Sequence, residues 1–127
     1  MLLVCRFAVP PAGTERFAAR ARTALELLTA QPGCLGGRLG RAAEDPDRWV
    51  LVVEFESVVA YRRALSPFPV REHVVPFLAE ALTDETSVLE VLASASGGVV
   101  EQRVSLLAAD SGSVRVGEAA GPEVPPR

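Results

Sequence analysis

No lysine, isoleucine or asparagine occurs in this chain, and histidine, tryptophan and tyrosine occur once each. All 13 basic residues are therefore arginine, a bias that fits a GC-rich genome and to which no chemistry is assigned. The formal net charge is -3, so the basic stripe that displaces counterions from a phosphate backbone is missing and nucleic acid is not an expected partner. Only Cys5 and Cys34 could supply thiolates, with no second pair and no histidine cluster; zinc spacing is absent and no metal is expected. If the two lie on first and second strands that are not neighbours, their Cα atoms exceed the roughly 7 Å limit for a bridge, which leaves two buried, inert thiols. The longest apolar runs, Met1 to Cys5 and Trp49 to Val53, fall far short of the roughly 20 residues that span a bilayer. No basic leader or small-residue cleavage site precedes the first strand-like run, so no membrane partner and a cytoplasmic location are expected.

What is present reads as one domain. A chain of 127 residues can bury roughly two-thirds of its unfolded surface, and 49% hydrophobic with 23% charged residues is ordinary globular usage. Leu2 to Val9 is a strand, ended by Pro10-Pro11-Ala12-Gly13. Thr14 is placed as the N-cap of a first helix in which Phe17, Ala21, Leu25 and Leu28 recur at helical spacing, up to Gln31-Pro32-Gly33. Cys34 to Ala43, a polar turn over Glu44 to Arg48, and Trp49 to Glu56 form a hairpin of strands two and three. Ser57 caps a second helix with Ala60, Tyr61, Ala64 and Leu65 on one face, interrupted by Ser66-Pro67-Phe68-Pro69. A further helix spans Val70 to Leu82; Pro76 either kinks it or begins a new first turn. Ser87 to Ala93 supplies the fourth strand.

The order βαββαβ, with right-handed crossovers expected to relate strands one and three and strands two and four in parallel, predicts an α+β, ferredoxin-like antiparallel sheet. Both alternating sets of strand three, Trp49/Leu51/Val53/Phe55 and Val50/Val52 before Glu54, are largely apolar, although a sheet with one wet face should alternate cleanly. Helices cover one face only. The other is expected to meet a second copy, making a homodimer, or to be covered by the tail. Residues 1–95 form the domain; the composition shifts from Ser94, and 96–127 are an extension, partly ordered or disordered, with a frayed end. Its apolar patch, Val99 to Ala109, includes Val104-Ser105-Leu106-Leu107, which is either a strand or short helix laid on a partner or a half-ordered tail.

The element order, Val9-Pro10 through Gly13 to Phe17, Pro32-Gly33 ahead of strand two, and Phe55-Glu56-Ser57-Val58-Val59-Ala60-Tyr61 resemble the antibiotic biosynthesis monooxygenase family over roughly residues 1–93. The resemblance implies a dimeric α+β barrel, a group that includes oxygenases, haem-degrading enzymes, isomerases, cyclases and ligand-binding domains. Locally, Glu56 to Arg62 is similar to the cofactor-independent monooxygenases that convert aromatic polyketide phenols to quinones. In those enzymes the tyrosine of this stretch lines the cavity, which carries over to Tyr61; a cavity tryptophan stands where this chain has Phe55, and an Arg-Glu pair of the next helix matches Arg71-Glu72. Losing the indole removes a donor. Haem degradation is not implied: that branch's iron-binding His falls near His73, but its strand-one Asn is replaced by Arg6 and its second-helix Trp by Arg63 or Ala64.

Each candidate also has a plain structural role. Histidine ordinarily titrates near neutrality, which would suit His73 to take a proton from a phenol; otherwise it is an exposed helix residue. Tyr61 donates a hydrogen bond to a substrate oxygen or packs its ring at the core's rim. Arg71 stabilises an anionic substrate or is solvated beside Glu72. Arg6, a charge within an apolar strand, opens onto a cavity or pairs with Glu54 or Glu90. Trp49 is core or interface, with ligand stacking the alternative. Gly36-Gly37-Arg38-Leu39-Gly40 lies in a strand with no helix after it, so it is a site of bulging or close backbone packing rather than a nucleotide loop.

The leading expectation is thus a small monooxygenase of secondary metabolism that needs no cofactor and acts on an aromatic or polyketide-like small molecule. Tyr61, His73 and Arg71 are the catalytic candidates, and Arg6, Trp49 and Phe55 the substrate-binding ones. The alternatives are an isomerase or cyclase on the same scaffold and a non-catalytic small-molecule-binding dimer. An enclosed pocket holding two or more of Arg6, Tyr61, Arg71 and His73 would favour an enzyme; a filled core would favour a structural role.

Overall fold

The computed structural model describes residues 1–105. The described chain divides after Leu89. In the first unit, β1 (Leu2–Ala8), α1 (Thr14–Thr29), β2 (Cys34–Arg41), β3 (Arg48–Phe55), α2 (Val58–Ala64), α3 (Phe68–His73), α4 (Val75–Leu78) and β4 (Val88–Leu89) follow one another, and the sheet order is β2-β3-β1-β4. This is the ferredoxin-like α+β arrangement expected. One expectation is corrected: β1 and β3 are adjacent and antiparallel, with Leu2 opposite Glu54 and Phe7 opposite Trp49. Because β2 is also antiparallel to β3, the strands that run the same way are β1 and β2. The helix between those two returns the chain across the sheet, so it is the strands flanking α1 that share a direction.

Alternation along β1 and β3 sets the two faces of the sheet. Leu3, Cys5, Phe7, Leu51, Val53 and Phe55 are buried on the inner face, against Phe17, Ala21, Ala24 and Leu28 of α1 together with Val70, Val74 and Phe77. Among the described residues no polar or charged side chain is buried. At the Trp49 end the core is aromatic: Phe7 lies 4.8 Å from Phe77 and 5.0 Å from Phe17, and Phe17 lies 5.3 Å from Trp49. On the outer face Val4 opposite Val52, and Arg6 opposite Val50, make a largely apolar surface, of which Val4 is buried and the others are half-buried.

Several local features carry a physical reason. Gly37 is where α1 closes on β2: a Cβ there would stand 2.8 Å from Leu25 Cδ2 and 3.2 Å from the Val52 carbonyl. The register slips between Cys34 and Gly36, so the glycine-rich strand holds both the bulge and the close packing anticipated for it. Cys5 and Cys34 are free, with β3 between their strands, although Cys34 is half-buried rather than buried. Thr14 is the first residue of α1 and not its cap; that position belongs to Gly13, without a side-chain hydrogen bond. Ser57 does cap α2, its Oγ accepting from Ala60 N at 3.1 Å. The expected helix over Val70 to Leu82 is instead two short ones that begin at Phe68 and at Val75, with Pro76 in the first turn of the second. Proline has no N–H to donate, so a restart costs less there than a continued helix.

The fourth strand is shorter than expected. It pairs Leu89 with Leu2 and Val88 with Leu3. In the second unit Ala93–Ser96 (β5) and Val99–Gln102 (β6) form a hairpin, so the start of the expected extension is ordered and residue 95, the expected boundary, falls inside a strand. Gly97 and Gly98 connect its strands, with φ of 58° and 82°. Two central residues at positive φ are what a tight type I′ connection requires, and glycine adopts them without a Cβ clash. Ser105 Oγ donates to Glu90 Oε1 at 2.6 Å. Leu106 and Leu107, with the rest of the apolar patch and tail, lie outside the described residues.

Candidate functional site

Tyr61 sits on α2 one turn after the Ser57 cap, half-buried, with its ring edge-on to Phe55 at 5.5 Å. Phe55 is wholly buried at the end of β3. Burial pushes the Tyr61 phenol above its usual range, and the Cys5 thiol, near enough for a charge there to be felt, pushes the same way. Burial likewise raises the Cys5 thiol to about 11, against an opposing pull from Arg6. Both groups are therefore protonated at neutral pH. No described residue hydrogen bonds to the Tyr61 hydroxyl. The cluster can offer a substrate oxygen a neutral O–H donor in apolar surroundings, where such a bond is strengthened, but neither of its two titratable groups can take a proton there at pH 7.

The other candidates stand apart from this pair. His73 is exposed on α3, its Nε2 3.4 Å from Glu72 Oε1, and Arg71 is exposed beside it. Arg6 lies on the outer face of the sheet. Its partner is neither Glu54 nor Glu90 but Glu85, at 3.3 Å, because the segment before β4 runs alongside β1, with Leu82 N donating to the Arg6 carbonyl at 2.7 Å. Trp49 is on the inner face at the opposite end of β3 from Phe55, roughly 20 Å along the strand at about 3.3 Å per residue. There it packs on Phe17, and the Arg41 guanidinium lies over its ring at 4.9 Å; its Nε1 is buried without a hydrogen-bond partner among the described residues. So the structure brings Tyr61 to Phe55 and leaves Arg6, Arg71, His73 and Trp49 elsewhere.

Sequence reasoning missed the influence of Cys5 on Tyr61, since it joins two elements far apart in the chain. It also missed a concavity of about 430 Å³ lined by Gln31, Gly33, Glu56, Ala60 and Arg63. Gly33 is its tightest point, with φ of +85° and room for a Cβ only 2.7 Å from that of Ala60. Arg6 lines an open hollow beside Glu85. Neither concavity includes Tyr61, Arg71 or His73. Among the described residues no helix is long and apolar enough to cross a membrane, and no group of three or more His, Cys, Asp or Glu gathers that could hold a metal ion.

Comparison with known proteins agrees with this architecture. No curated protein matches the chain at a significant level. Among solved structures, a protein from Mycobacterium tuberculosis superposes with a TM-score of 0.61 at 22% identity, over 75% of this chain and 97% of that one. A structure described as an antibiotic biosynthesis monooxygenase gives 0.58 at 22% identity, over 72% and 97%. SnoaB, a cofactor-independent oxygenase from Streptomyces nogalater, gives 0.53 at 29% identity, over 64% of this chain and 82% of that one. The family model for antibiotic biosynthesis monooxygenases matches residues 1–67, more than half of the chain, and that stretch carries β1, α1, the β2–β3 hairpin and the Phe55–Tyr61 pair. With sheet order, local motifs and family model in agreement, this chain belongs to the antibiotic biosynthesis monooxygenase family.

Proposed function

We propose that the protein is a cofactor-independent monooxygenase acting on an aromatic, polyketide-like phenol, as a homodimer. The observation that carries the reading is the 29% identity to SnoaB, described as a cofactor-independent oxygenase, within a family whose model covers Phe55 and Tyr61. In the reaction proposed, a substrate phenol loses its proton, the electron-rich ring combines with dioxygen, and a ring C–H becomes a quinone C=O. One oxygen atom enters the product and the other leaves as water, with the substrate supplying the electrons. Tyr61, held protonated by burial, serves as hydrogen-bond donor to the substrate oxygen rather than as base. Phe55 gives the ring a packing surface. The phenol's proton passes to solvent: His73 and Arg71 stand exposed on α3, Arg6 is on the outer face of the sheet and Trp49 lies at the far end of β3, so none of the four takes part in this step.

The test is oxygen uptake by purified protein with a panel of hydroxyaromatic compounds, alongside quinone absorbance. One dioxygen consumed per quinone formed is expected, and Tyr61→Phe should lower kcat by about tenfold or more, as loss of one oriented donor does. Absence of uptake across the panel, with Tyr61→Phe indistinguishable from the parent, sinks the reading. A second reading, a non-catalytic small-molecule-binding dimer, is favoured by the filled inner core and by the exposed positions of Arg71 and His73. It predicts saturable binding with no turnover, whereas an isomerase or cyclase would convert substrate without consuming oxygen.

A further inference from the structure

The aromatic end of the core meets solvent at a place that the oxygenase reading does not use. Here a cleft of about 240 Å³ is lined by Phe7, Val9 and Phe17, which are buried, and by Arg16, Arg20 and Glu80 toward solvent. Neither Tyr61 nor Phe55 lines it. Arg20 is committed: its Nη1 and Nη2 donate to the two Glu80 carboxylate oxygens at 3.0 and 2.7 Å, and its guanidinium rests over Phe77 at 5.3 Å. Arg16 has no ion-pair partner among the described residues, yet its charge reaches Glu80. Two guanidinium groups against one carboxylate leave the rim with one positive charge in excess, on a chain whose net charge is -3.

We propose that this cleft binds a small aromatic carboxylate, its ring against Phe7 and Phe17 and its carboxylate on Arg16. Each part of the lining selects one property. Two phenyl rings favour a flat apolar body, in offset or edge-on packing. An unpaired guanidinium favours a planar anion that accepts two parallel N–H bonds, the geometry that Arg20 already makes with Glu80. The volume is below the roughly 300–1,000 Å³ of sites for drug-sized ligands, which suits one or two rings. A strongly hydrated anion without a ring gains nothing from the floor, and a neutral aromatic leaves Arg16 unsatisfied. This site goes beyond the oxygenase reading and does not depend on it.

Trp49 makes the proposal measurable, because it is the chain's single tryptophan and lies against Phe17. The intact protein is titrated with benzoate, following Trp49 emission and the heat of binding, with acetate and benzyl alcohol as the ringless and the neutral comparisons. Saturable benzoate binding with a Kd of about 1 mM is expected for so small a ligand, and at least tenfold weaker binding of both comparisons. Arg16→Gln should weaken benzoate about tenfold, and Glu80→Gln, which removes the competing carboxylate and frees Arg20, should tighten it several-fold. Both residues are exposed, so the fold survives either change. No saturation with benzoate, equal binding of acetate, or failure of either variant to shift the Kd in the stated direction overturns the proposal.

Discussion

Cys5 and Cys34 show how far residue type and neighbourhood separate. Cys5 is 3% exposed and its thiol is raised to about 11 by burial. Cys34 is half-buried, its thiol raised by burial and drawn back by the Gly36 backbone. A disulfide-exchange reagent at pH 8 should therefore modify Cys34 slowly and Cys5 only on unfolding, as counted by thiol titration with and without denaturant, since the thiolate is the reacting form. The same burial gives alkaline stability a sign. A raised folded pKa means that the unfolded chain releases its proton first, so the contribution is complete below about 8.5, the ordinary cysteine value, and is lost as pH climbs toward the folded value of about 11. Urea midpoints between pH 7 and 11 should fall over that window, and Cys5→Val should remove part of the fall. Tyr61 was legible as a candidate because a tyrosine in that stretch matches the family's motif. The influence of Cys5 on it was not, because no local pattern connects β1 to α2.

At the scale of elements, breaks and one of the two expected caps were readable, and lengths were not. Ser57 presents an acceptor to an N–H three residues on, a local relation that spacing encodes. Ser57→Ala should cost about 1 kcal/mol, seen as a lower urea midpoint at unchanged slope. Gly37 is set by a contact between elements: Gly37→Ala must displace Leu25 or the Val52 carbonyl. It should cost about 1–3 kcal/mol as overpacking does, more than Gly40→Ala, where a Cβ would meet nothing within 4 Å. Comparing the two melting temperatures checks the prediction. The β5–β6 hairpin was missed although its signal was present, since Gly97-Gly98 between short runs is a two-residue turn motif. The extent of β4 could not be read locally, because it depends on pairing with β1, a strand distant in the sequence.

The whole molecule presents a sheet whose outer face carries Leu2, Val4, Val50 and Val52, with Val4 buried and the other three half-buried, and the proposed homodimer uses that face. Sedimentation equilibrium should give twice the chain mass, and Val52→Arg should shift the protein toward monomer while lowering its melting temperature, because a charge would be set into an apolar interface. A monomeric parent protein would refute the dimer. What the amino-acid order determined by itself was the succession of elements, the faces of strands and helices, and the motif that runs from Phe55 to Tyr61, because these rest on interactions within a few residues and on a periodicity of two or 3.6. Only the tertiary structure decided that β1 lies antiparallel to β3, that Arg6 pairs with Glu85, that Tyr61 packs on Phe55 while Arg71 and His73 stay at the surface, and that Arg16, Arg20 and Glu80 line one cleft with Phe7 and Phe17. Those outcomes depend on contacts between residues distant in the chain, where strand register and helix packing, rather than local preference, choose the neighbour.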